Sequence, residues 1–231
     1  MSLMTRFGTG RLAAWSLLVG LLALTNYGAR FIGNNTTTTG GDRDTLYHWG
    51  PAVSGLVFYG IFFAFLYAIA AVDTDELFAF RRPESWHEAA GLCLAVFFGI
   101  LLWSFIVSKL PLPQSPSEEQ GLTPTRWDPT RAAPFAANGV VVALIAPLIE
   151  ELTFRGVGYR LLIERISRWT TIVLVGVAFG VAHGLIEGLL VLVPFGAGLA
   201  YLRDRTDSVV PGMIVHFAFN ALALLAVIAT G

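Results

Sequence analysis

Apolar stretches separated by short polar breaks run the length of this chain. A hydrocarbon core about 30 Å thick takes about 20 residues of helix to cross. Trp49–Val72, Ala89–Val107, Ala132–Ile149 and Gly188–Leu202 contain no Asp, Glu, Lys or Arg. Trp169–Ile186 holds one ionisable group, His183, and Ser208–Gly231 holds only His216. Leu12–Ile32 is a further apolar run, interrupted by Asn26 and Arg30. The pattern predicts an all-α polytopic membrane protein with about seven transmembrane helices and lipid bilayer as its surroundings. It also predicts an organisation in two parts. Residues 1–131 hold the N-terminal transmembrane helices and a Pro-rich connector, and residues 132–231 hold the chemistry.

Composition sharpens this picture. The 231 residues are 55% hydrophobic and 13% charged, and the mean hydropathy is +0.66. A soluble domain is about 25% charged. Disorder is excluded, and a soluble enzyme fits poorly. The net charge of −1 gives a nucleic-acid partner no electrostatic support. The single cysteine, Cys93, excludes an internal disulfide framework and a Cys-based metal site.

Positive charge orients the helices. With the N-terminus inside, nine Arg fall on the inner side against five Arg and Lys on the outer, Arg155 being counted as intramembrane. An inner N-terminus and an outer C-terminus follow. Arg6 and Arg11 before an apolar stretch resemble the start of a signal peptide, but Tyr27, Arg30 and Phe31 make no small-residue cleavage site. An anchor helix is expected there. Asn34-Asn35-Thr36 and Asn35-Thr36-Thr37 match a glycosylation acceptor by pattern alone. Lys109–Arg131, with five prolines, reads as an extended connector.

Ionisable groups inside a bilayer are costly and mark function. Here they gather late in the chain: Glu150, Glu151 and Arg155, then His183, then His216 with Asn220. Glu151 and Arg155 are four apart and can pair on one helical face. Glu150 is turned about 100° away and has no built-in partner. A desolvated carboxylate of that kind suits a general base, although two glutamates near headgroups could also simply snorkel. Pro147, three residues earlier, predicts a kink. His216 and Asn220 share a face and can donate to an oxyanion, or clamp two helices together. Phe179 and His183 share a face, and Glu187 could orient the His183 ring. Gly176, Gly180, Gly184 and Gly188 form a packing stripe. Depths leave one conflict. Glu150 and His216 lie about 15 and 12 Å from the inner side, but His183 lies about 22 Å from Arg168. Either that helix starts later at a slant, or Ile166–Ile172 lies along the surface.

These residues resemble a known family. Glu150-Glu151-Leu152-Thr153-Phe154-Arg155 resembles the Glu-Glu-x-x-x-Arg motif of the CPBP family. That family comprises type II CAAX prenyl endopeptidases and bacteriocin-processing or immunity proteins, also called the Abi family. Phe179-Gly180-Val181-Ala182-His183 and His216-Phe217-Ala218-Phe219-Asn220 resemble its other two motifs, in the expected order. The resemblance begins near Ala132. It implies an intramembrane endopeptidase acting on a membrane-associated protein or peptide, and the small size and short loops suggest a prokaryotic cell membrane. It further implies that Glu150 and His183 activate water, that His216 and Asn220 stabilise the oxyanion, and that Glu151, Arg155 and Phe179 support them.

Two other chemistries use the same residue types. Glu150, His183 and His216 would make a catalytic zinc set. They lie on three helices without a compact two-His motif, and Asn220 is a poor zinc ligand, so no cofactor is the favoured reading. A proton-coupled transporter would spread polar groups over several depths and both halves of the chain, which is not the pattern. A non-catalytic immunity or binding protein would tolerate loss of Glu150.

Overall fold

The computed structural model describes residues 6–35, 44–111 and 127–230. Residues 112–126 of the Pro-rich connector lie outside the described residues, as do Thr36 and Thr37 of the acceptor-like triplets. The described residues form helices and no strand.

The helices are α1 (Thr9–Asn35), α2 (Trp49–Ala70), the short α3 (Thr74–Phe78) and α4 (Trp86–Val107), followed by one long interrupted helix over Pro129–Ile163. That long helix comprises α5 (Ala132–Val140), α6 (Ala146–Glu151) and α7 (Tyr159–Ile163), joined by π-helical turns at Val141–Ile145 and Leu152–Gly158. Then come α8 (Arg168–Ala182), α9 (Leu189–Thr206) and α10 (Val210–Thr230). Among the described residues, each of the seven apolar stretches is therefore mostly helical. Among the described residues, five helices are long and apolar enough to cross a membrane, and α8 is a shorter apolar helix.

Lipid-facing surface is plain on α2 and α4. Phe65 is 60% exposed and Phe98 61%, with Ile61 and Leu102 alike, and so much apolar area is stable only against hydrocarbon. The core lies between α1, the long helix, α8, α9 and α10, around Phe154, Phe179, Phe195 and Leu199.

Two turns fix the half of the bundle that carries the polar groups. The Ser167 hydroxyl caps α8 by accepting the Thr170 N–H. Gly184 has a φ of 70° and turns the chain out of α8. α8 and α9 then pack backbone to backbone. A Cβ on Gly176 would lie 2.7 Å from the Ala197 nitrogen and 2.8 Å from the Val193 oxygen. The glycine stripe thus divides its work. Gly176 and Gly180 make the contact, Gly184 makes the turn, and Gly188 precedes α9.

Pro147 explains the first π-helical turn. It brings no N–H, and its ring crowds the carbonyl four residues back. The ladder responds by widening over Val141–Ile145 rather than by breaking. The second widening, Leu152–Gly158, faces close neighbours. A Cβ on Gly156 would come within 2.8 Å of the Leu77 oxygen, and one on Gly158 within 2.4 Å of the Trp15 ring. Both π-helical turns flank the two glutamates. Such insertions are frequent at functional sites.

Charge pairs tie the Arg-rich end of the bundle. Arg11 pairs with Asp73 at 2.6 Å, Arg81 with Asp207 at 2.6 Å, and Arg168 with Asp204. At the opposite end Arg131 bridges Asp44 at 2.9 Å and Asp128 at 2.6 Å.

Candidate active site

Glu150 and Glu151 end α6, well inside the bundle rather than at its rim. Glu150 and His183 agree in depth when both are counted from the turn between their helices, because the long helix runs on to Ile163 and α8 begins at Arg168. Glu150 is thirteen residues from one side of that turn and His183 fifteen from the other. At about 1.5 Å per residue these are about 20 and 22 Å, the same level.

The two carboxylates have different surroundings. Glu151 is fully buried, and its Oε1 accepts from Arg155 Nη1 at 2.8 Å. The same oxygen lies 2.9 Å from His216 Nδ1. Arg155, also fully buried, donates from Nη2 to the Gly196 carbonyl at 3.0 Å and sits 4.3 Å over the Phe179 ring. Gly212 leaves room for this cluster, since a Cβ there would lie 2.7 Å from Glu151 Oε2.

Glu150 faces a cavity of about 290 Å³. The wall comes from Leu22 and Asn26 of α1, from Phe58, Tyr59 and Phe62 of α2, from the long helix, and from Ala182 and His183 at the end of α8. Glu150 Oε2 is 3.9 Å from His183 Nε2 and 3.7 Å from His216 Nε2. Glu150 Oε1 is 3.5 Å from the Tyr59 hydroxyl. These spacings exceed ordinary hydrogen bonds, so Glu150 is held loosely where Glu151 is held tightly.

Ring orientations follow from the bonds at Nδ1. His183 Nδ1 is 2.7 Å from the Phe179 carbonyl, which can only accept, so Nδ1 carries hydrogen. In the neutral ring Nε2 then presents its lone pair toward Glu150. The acceptor that orients this ring is thus a backbone carbonyl one helical turn back. His216 Nδ1 likewise donates to Glu151, which turns Nε2 toward Glu150. Phe179 is wholly buried, with its ring 4.5 Å from that of His183 and 5.6 Å from that of His216.

The structure therefore brings Glu150, His183 and His216 together, with Glu151, Arg155 and Phe179 packed behind them. Asn220 is engaged elsewhere, its amide donating to the Val142 carbonyl at 2.9 Å within the first π-helical turn. Among the described residues no group of three or more His, Cys, Asp and Glu side chains is arranged to hold a metal ion.

Three contributors lie outside the stretch that carried the sequence motifs. The Tyr59 hydroxyl reaches Glu150 from α2. Asn26 donates to the Ala182 carbonyl at 2.7 Å and so ties α1 to the residue before His183. Trp15 donates to the Thr153 carbonyl at 2.9 Å. Tyr59 and Asn26 each leave a trace in the sequence. Tyr in membrane helices belongs at the interfaces, yet Tyr59 is ten residues into α2, and Asn26 breaks an apolar run.

Fold and site together define an integral, all-helical membrane protein with a Glu/His centre inside the bundle. Residues 132–222 match the family model described as Rce1-like, Type II CAAX prenyl endopeptidase Rce1-like. A stretch of 86 residues, 37% of this chain, is 24% identical to "Putative membrane peptidase YdiL" of Bacillus subtilis (strain 168). The match spans 35% of that relative's length. No solved structure matches this chain. The family resemblance read from the three motifs is borne out, and both matches are to proteins described as peptidases.

Proposed function

We propose that this chain is an intramembrane endopeptidase that hydrolyses a peptide bond of a membrane-associated protein or peptide, using water activated by Glu150 and His183. The observation that carries this reading is the convergence of two imidazole Nε2 atoms on Glu150 Oε2 beside a cavity. One water bridging Glu150 and His183 spans the 3.9 Å gap between them. Glu150 takes a proton from that water as its oxygen bonds to the substrate carbonyl carbon. The C–N bond then breaks, and the proton passes to the departing amine. The products are a new carboxylate and a new amine. His216 holds a place behind Glu150 and is steadied by Glu151, while the family resemblance gives it and Asn220 a share in stabilising the oxyanion.

The reaction runs without a metal in this reading. Tetrahedral zinc with ligand bonds of about 2.1 Å brings its donor atoms to about 3.4 Å from one another. The two imidazole-to-carboxylate spacings, 3.7 and 3.9 Å, are close to that value, so chelation is the experiment that decides between the two chemistries. Extensive chelation of the purified protein is expected to leave its activity intact. Stoichiometric zinc whose removal abolishes activity, and whose return restores it, would overturn this part of the reading.

The N-terminus is proposed to be cytoplasmic and the C-terminus outside, from the distribution of Arg and Lys, and the small size and short loops favour a prokaryotic cell membrane. A reporter fused at Gly231 should report the outer side, and a cytoplasmic signal would contradict it. The substrate is open to a direct search. New protein termini in membranes of cells carrying wild type should vanish in cells carrying Glu150→Gln. Identical sets of termini would refute proteolysis and favour an immunity or binding role.

A further inference from the structure

The cavity wall contains four side chains with an O–H or N–H to give: Asn26, Tyr59, Thr153 and His183. Thr153 and His183 are already used, and Asn26 has given one of its two amide hydrogens. Asn26 donates to the Ala182 carbonyl, Thr153 to the Ile149 carbonyl, and His183 from Nδ1 to the Phe179 carbonyl, each at 2.7 Å. Each of these bonds satisfies a backbone acceptor near a helix end or a π-helical turn, so giving one up would leave a polar group unpaired in an apolar bundle. Tyr59 differs. Its hydroxyl meets Glu150 Oε1 at 3.5 Å, the long limit of a hydrogen bond, and can turn to a better acceptor at little cost. Asn220 and His216 are not in this wall.

We propose that Tyr59 is a catalytic residue whose phenolic O–H hydrogen-bonds the oxyanion formed when water attacks the substrate carbonyl. The proposal rests on the reading of Glu150 as the base. The two oxygens of Glu150 face different partners: Oε2 faces the imidazoles, and Oε1 faces Tyr59. Water held at Oε2 puts the attacked carbonyl against the same carboxylate. The oxygen of that carbonyl then comes within reach of the Tyr59 hydroxyl. The phenol keeps its proton throughout and contributes a hydrogen bond that shortens as negative charge develops. Such a donor works in the transition state rather than in substrate binding. Helix α2 thereby adds a group to a site whose base and imidazoles come from Glu150, His183 and His216.

The test uses the full chain reconstituted in liposomes with an internally quenched apolar peptide it cleaves, comparing wild type, Tyr59→Phe and Glu150→Gln. Tyr59→Phe should lower kcat about 100- to 1000-fold, the loss typical of one oxyanion donor, with KM within about twofold. The acid limb of its pH–rate profile should stay where wild type has it, because Glu150 still does the same job. A kcat within about threefold of wild type would overturn the proposal. A displaced acid limb with the plateau rate retained would also overturn it, since Tyr59 would then only tune Glu150. Activity surviving Glu150→Gln would strike the base reading itself. An inactive Glu150→Gln beside a fully active Tyr59→Phe would strike Tyr59 alone.

Discussion

Glu150 and Glu151 are adjacent on one helix, yet they sit in two unlike regions. Around Glu151 one oxygen, Oε1, takes two short contacts, while Oε2 is buried without a hydrogen-bond partner. Arg155 and His216 approach its Oε1 to 2.8 and 2.9 Å, and the three side chains are at most 3% exposed. Around Glu150 every contact is long, from 3.5 to 3.9 Å, and a cavity opens beside it. The difference arises from helix rotation alone, since consecutive residues point about 100° apart. A buried ion pair with short bonds fixes geometry. A carboxylate with loose partners can accept a water and a proton. The tight region thus acts as the footing for the loose one. His216 joins them, with Nδ1 on Glu151 and Nε2 facing Glu150.

Breaking the loose region should produce the largest change in activity. Glu150→Gln keeps the side chain's shape but removes the proton acceptor. Peptide cleavage should fall at least about 100-fold while the melting temperature holds. Breaking the tight region should appear first as lost stability. Glu151→Gln leaves Arg155 without its anion in a dry interior, which costs about 3–5 kcal/mol. Thermal unfolding of the detergent-solubilised protein measures that loss. Gly212→Ala probes the same region more gently. Its methyl would press on Glu151 Oε2, and overpacking of that kind costs about 1–3 kcal/mol. Smallest is Asn26→Ala, which removes one hydrogen bond to the Ala182 carbonyl, worth about 1 kcal/mol. Its mark should be a reduced rate from a less firmly held His183, read as lower kcat with KM little changed.

Much of this contrast was legible before any coordinates. The seven apolar stretches foretold seven helices because lipid leaves the backbone no other way to bond. The Glu151–Arg155 pair followed from a spacing of four residues on a helix. What the sequence could not carry was rotation and depth between separate helices. The bond from His216 to Glu151 spans 65 positions, that from Tyr59 to Glu150 spans 91, and that from Asn26 to Ala182 spans 156. Each depends on how two helices turn toward one another. The depth conflict at His183 had a local cause. Arg160 stood as the end of a helix that continues to Ile163. Pro147 announced a disturbance, and the helix meets it with a wider π-helical turn over Val141–Ile145.

If Glu150 carries the chemistry and Glu151 the structure, kcat and melting temperature measured on the same reconstituted preparations of Glu150→Gln and Glu151→Gln should separate. Glu150→Gln should lose activity and keep its melting temperature, while Glu151→Gln should lose melting temperature and keep cleaving in the fraction that stays folded. Equal activity of Glu150→Gln and wild type, or a fully stable but inactive Glu151→Gln, would contradict that division.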